Sequence, residues 1–169
     1  MLHAVSLAVV LHLSNLSGAP DAVVSSAQAE VVRVYAAAGV NVRWATDEPA
    51  GDARAIRVVL VPSEAGDLRR MADTVVMGVA ARTPHGHGAA YVYYRRVEEQ
   101  AMLHHAPVER VLACVMAHEL GHLLGTHGHS PTGVMRASWR NAEFRRASEG
   151  ALEFSSKDVA RLQAGYEFR

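Results

Sequence analysis

Hydrophobic and polar positions along this chain change period several times, and each change marks an element. Val5, Leu7, Val9, Leu11 and Leu13 alternate with Ser6, Ala8 and His12, the period of two that a strand requires. From Pro20 to Ala38 the period lengthens: Val24, Ala27, Val31 and Val34 fall on one helical face, proline opens the first turn and Gly39 stops it. Val40, Val42 and Trp44 alternate again and predict a second strand. After a turn-rich break from Asp47 to Asp52, Ile56 to Val61 is nearly continuous in apolar residues, as a more buried strand is, and Pro62 ends it.

Residues 63 to 88 carry a weaker signal. A short helix from Glu64 to Ala72 is expected, and Thr83 to Gly88 reads as a loop. His85 and His87 in that loop could hold a second metal, although paired histidines in glycine-rich loops are more often solvated. Ala89 to Tyr94 predicts a tyrosine-rich strand. Pro107 opens a helix in which Val108, Val111, Leu112, Val115 and Met116 are apolar almost all round, so the helix is expected to be buried. Ser155 and Asp158 have capping-box spacing, with Val159, Leu162 and Tyr166 forming the buried stripe of a last helix. Strand, helix and strand followed by further strands predict an α+β domain, a mixed sheet with a helix packed across it.

Composition narrows the partners. The 169 residues suit a single domain, and half are hydrophobic, which excludes general disorder. Seventeen basic and seventeen acidic residues cancel, so neither a nucleic acid nor an anionic membrane is expected as a partner. Nothing is long enough to span a bilayer. The single cysteine, Cys114, excludes an internal disulfide and is expected as a small buried hydrophobe. Val5 to Leu13 could pass for the apolar part of a secretory signal. No lysine or arginine precedes it and no clean cleavage site follows, so it is read as the first strand of the mature domain.

The chemistry is concentrated in His118-Glu119-Leu120-Gly121-His122. Residues four apart on a helix are separated by about 40° around its axis, so the two imidazoles face one way and can clamp one zinc ion. Glu119 sits at the edge of that face, placed to take a proton from a water whose pKa zinc lowers toward roughly 7. Gly125 stands where the helix must end, letting the chain double back with a third histidine. His104 and His105, three to four turns away, are too distant to serve.

His118 to Met135 resembles the metzincin metallopeptidases, whose pattern is H-E-x-x-H-x-x-G-x-x-H followed by a methionine turn. The likeness is specific over residues 111 to 139 and nearest to the short matrixin-like branch. One position departs: where the pattern has its third histidine, this chain has Gly128, flanked by His127 and His129. His129 precedes Ser130, as the third ligand precedes serine in matrixins, whereas His127 keeps the usual matrixin distance to the methionine. A surface turn tolerates lengthening better than shortening, which favours His129 and leaves His127 as the alternative.

The resemblance implies one catalytic zinc held by His118, His122 and His129, with Glu119 as general base and Met135 as the floor beneath. It implies a metzincin-like sheet, in which the strand at 89 to 94 would be the edge above the cleft, pairing with a peptide or protein substrate. Trp139 would pack under the methionine turn. A secreted or periplasmic, monomeric peptidase is the expectation. The alternative is a catalytically weak zinc-binding domain of the same fold that serves as a binding module.

Overall fold

The computed structural model describes residues 8–45, 56–63, 76–82 and 88–167, with Tyr166 and Glu167 described by backbone alone. The expectations at Val5, at 47–52, at 64–72 and at His85 and His87 fall outside the described residues.

Among the described residues the chain is α+β. A five-stranded sheet has the order β2-β1-β3-β5-β4, with β1 at Val9–Asn15, β2 at Val42–Trp44, β3 at Ile56–Val61, β4 at Gly78–Arg82 and β5 at Gly88–Tyr93. All neighbours are parallel except β4, which runs antiparallel to β5 and forms one edge. Five helices accompany the sheet: α1 (Asp21–Ala37), α2 (Tyr94–Leu103), α3 (Val108–Leu124), α4 (Asn141–Ser148) and α5 (Ser156–Glu167). Among the described residues no helix is long and apolar enough to cross a membrane.

The expected buried strand appears as β3, where Ile56, Val58 and Leu60 are buried and Arg57 between them is exposed. That buried face joins Val31 and Val34 of α1 and Leu112, Met116 and Leu120 of α3 in one hydrophobic core. Each such aliphatic side chain contributes roughly 1.5–3 kcal/mol when fully buried. Cys114 lies in this core, and burial pushes its thiol up to about 12, consistent with a packing role. A charged exception sits nearby. Glu30 of α1 is buried and holds Arg33 (2.8 Å) and Arg110 (2.6 Å), tying α1 to the first turn of α3. Both guanidiniums keep its carboxyl below the ordinary glutamate value against the opposing effect of burial.

Two expectations are corrected. The tyrosine-rich strand is not the sheet edge: β5 lies between β3 and β4, and the edge is Gly78–Arg82, a stretch with no strand pattern of its own. The strand also ends at Tyr93, because the chain passes directly into α2, whose Tyr94, Val97 and Ala101 are buried.

Candidate metal centre

Helix α3 delivers the histidines. Pro107 caps it in an extended conformation, and Gly125 ends it with φ at +137°, a value that side-chain-bearing residues rarely adopt. The Tyr35 hydroxyl of α1 donates to the Ala117 carbonyl at 2.9 Å, fixing the helix one residue before His118.

His118 and His122 bring their Nε2 atoms to 3.2 Å of each other. Each Nδ1 faces a backbone carbonyl, that of Val134 at 2.7 Å for His118 and that of Thr126 at 3.0 Å for His122. Carbonyls only accept, so both Nδ1 atoms carry the proton and both Nε2 atoms present bare lone pairs. Two lone pairs so placed repel unless a cation lies between them. Tetrahedral zinc with Zn–N bonds of about 2.0–2.1 Å would put two such nitrogens roughly 3.3 Å apart.

His129 completes the group. The ligand atoms of His118, His122 and His129 all lie within 4.8 Å of one another. Its ring centroid is 5.3 Å from that of His118 and 5.0 Å from that of His122. His127 is exposed and stands outside this group. Three imidazoles, two with carbonyl-oriented rings, on a site open to solvent at His129 form a donor set that fits one zinc ion with a free fourth position. Burial lowers His118 to about 4, with the Val134 carbonyl acting against it and the neighbouring histidines reinforcing it. His122 is lowered chiefly by burial as well. Both rings are therefore neutral, as ligands must be, at ordinary pH.

The loop that follows α3 forms the floor. The Ser130 N–H donates to Met135 O at 2.8 Å, closing a turn through Gly133, whose φ is +79°. Met135 is wholly buried and accepts a weak hydrogen bond from the Thr126 hydroxyl at 3.6 Å. A Cβ placed on Gly121 would come within 2.6 Å of Met135 Sδ, so the glycine between the two histidines lets the sulfur sit directly against the helix.

Glu119 points to the other side, against β4. It is 7% exposed, and the Ala80 N–H donates to its carboxylate. Burial pushes it up to about 7, with the Ala80 hydrogen bond acting in the opposite direction. A carboxyl in that range can both take and return a proton near neutrality. Arg82, on the same strand, donates to the carbonyls of His122 and Leu123 and so caps the C-terminus of α3.

The four residues line a cleft of about 440 Å³ whose walls are Val76 to Ala80 on one side and Arg136 to Trp139 on the other, with Val115 below. Trp139 lies edge-on to His118 at 6.5 Å and donates its indole N–H to Val134 O at 3.3 Å, the same carbonyl that orients His118. The stretch 76 to 80 is the part of the site that the sequence reading missed. His104, set aside as a ligand, stacks on Phe144 at 3.9 Å. No family model matches the chain, and no curated protein matches it.

Proposed function

We propose that this chain is a zinc-dependent metallopeptidase of metzincin-like fold. The observation that carries the reading is the pair of unprotonated Nε2 atoms converging with His129 beside the buried carboxyl of Glu119, in a cleft bordered by a sheet edge.

His118, His122 and His129 would hold the ion. Zinc, when bound, supplies Lewis acidity, lowering the pKa of water and polarising a carbonyl oxygen. Glu119 takes the proton of the attacking water on its carboxylate and gives it to the amine nitrogen as the C–N bond breaks. The Ala80 N–H keeps that carboxylate in place between the two transfers. The inner side of β4 is paired with β5, and the pairing runs on to Met77, whose carbonyl accepts from the Tyr93 N–H at 2.9 Å. The outer side of β4 pairs with no other strand among the described residues and, apart from the Ala80 N–H that Glu119 takes, is where an extended peptide can add as a further strand. The substrate class is thus a peptide or an unfolded protein segment. Such a segment offers the free, extended backbone that the pairing needs.

The test joins metal analysis to hydrolysis of a generic unfolded protein, with and without a chelator. Stoichiometric zinc and chelator-sensitive cleavage support the reading; cleavage that survives chelation, or no metal uptake at neutral pH, refutes it.

A further inference from the structure

His129 differs from the other two histidines in what holds it. His118 and His122 are fixed by one helix, whereas His129 stands on an exposed loop next to Gly128, whose φ is +86°. The residue that follows it, Ser130, is buried and donates its hydroxyl to Asp158 Oδ1 at 2.7 Å. Asp158 belongs to α5, is fully buried, and plays no part in the chemistry above.

The two oxygens of that carboxylate do separate things. Oδ2 accepts from the Ser155 hydroxyl at 2.5 Å, and the Asp158 N–H donates to Ser155 Oγ at 3.3 Å, which together close the start of α5. Oδ1 faces Ser130, with Arg161 3.5 Å away as its charge partner. Helix capping alone accounts for Oδ2 and leaves the Ser130 bond unexplained. The neighbouring backbone shows the same docking: Val134 N–H donates to Glu153 O at 2.9 Å, and a Cβ on Gly133 would meet that oxygen at 2.5 Å.

We infer that Asp158 is a positioning residue for the metal site, holding Ser130 so that the His129 ring stays within reach of the other two imidazoles. The inference rests on the metal-binding reading above. Partners that orient a ligand typically change metal affinity by about 10–100-fold when removed. An aspartate on a distant helix does this here because the ligand itself sits on a loop, where packing cannot fix it.

Titration of the full chain with Co²⁺, followed by its visible absorption, and competition with Zn²⁺ decide the matter. Ser130→Ala removes only the Oδ1 partner, and Ser155→Ala only the Oδ2 partner. Ser130→Ala and Asp158→Ala should each weaken metal binding by about 10–100-fold and alter the Co²⁺ spectrum. Asp158→Asn, which can still accept from Ser130, should recover most of that loss. Ser155→Ala should lower the melting temperature while leaving metal affinity at the parent value. The double variant Ser130→Ala/Asp158→Ala should bind no more weakly than Asp158→Ala. The inference is overturned if Ser130→Ala binds Co²⁺ as tightly as Ser155→Ala does, a result that leaves the metal site itself intact. A parent chain that takes up no Co²⁺ would instead remove the metal-binding reading, and this inference with it. Ser130→Ala removes a single hydroxyl and leaves the carboxylate in place, so it keeps the inference decidable if Asp158→Ala does not fold.

Discussion

Gly78 of the edge strand lies so close to Glu119 that a Cβ added to the glycine would come within 2.9 Å of the glutamate Cγ. It would also stand 2.9 Å from the carbonyl oxygen of Tyr91, which belongs to the neighbouring strand and cannot swing aside. Gly78→Ala should therefore push the carboxyl out of line, slowing peptide hydrolysis at least tenfold while zinc stays bound. The overpacking should cost about 1–3 kcal/mol of stability. Kinetics beside metal analysis checks this, and an alanine variant with parental kcat would show that Glu119 does not need its contact with β4.

Glu119→Gln should keep its zinc and lose peptidase activity by about 10²–10⁴-fold, because the amide preserves shape but cannot accept a proton from water. Equal rates for variant and parent would remove Glu119 from the mechanism.

The histidines can be ranked by metal retention. His118→Ala and His122→Ala should each lose stoichiometric zinc on dialysis at neutral pH, since no neighbour on the rigid helix can replace them. His129→Ala should weaken binding strongly, and His127→Ala should stay near the parent. The reverse order for the last pair would place the loop differently from the arrangement in which His129 joins the group.

Acid should destabilise the metal-free chain through the same rings. The folded state holds His118 at about 4, below the unfolded value near 6.5, so it binds a proton less readily than the unfolded chain. The stabilising contribution is complete above about pH 6.5 and disappears as pH falls through about 4, an effect on the order of 3 kcal/mol at most. His122 shifts in the same direction. Glu119 has the opposite sign: raised to about 7, it contributes stability below its unfolded value near 4.3, and that contribution is lost as pH rises through 7. Chemical denaturation of the chelator-treated Glu119→Gln variant, which lacks the opposing carboxyl, should show a fall from pH 7 to 4 that a further His118→Gln change flattens. An unchanged slope in that double variant would mean that His118 is not the group responsible.

How far these features could be read from sequence depends on how local their causes are. His118, Glu119 and His122 share one helix, and the signals that begin and end it, Pro107 and Gly125, adjoin it in the chain. An apolar run likewise marked β3, and alternation marked the buried part of β1. Gly78–Arg82 could not be seen this way, because its strand character comes from pairing with Val92 to Gly88 and its glycine from a glutamate forty-one positions later. The rank of β5 within the sheet is equally non-local, since any tyrosine-rich strand can lie at an edge or one place in from it. Helices α2 and α4 were legible in principle: Tyr94, Val97 and Ala101, and Phe144 and Ala147, have helical spacing, but in short and highly charged stretches. The choice between His127 and His129 turns on a loop closed by Ser130, Met135 and Asp158, contacts that spacing alone does not encode.

The edge strand is fastened to helix α3 at two points, Ala80 to Glu119 and Arg82 to the helix's final carbonyls. A peptide lying along β4 would consequently meet the reacting groups in a fixed phase. Sliding it by one residue would turn every side chain to the opposite face, so only shifts of two residues, about 6.8 Å, preserve both backbone pairing and side-chain direction. On a bound segment the side chains that face the cleft would thus recur at every second position, so a preference at one such position should be matched two residues away and not at the neighbour between.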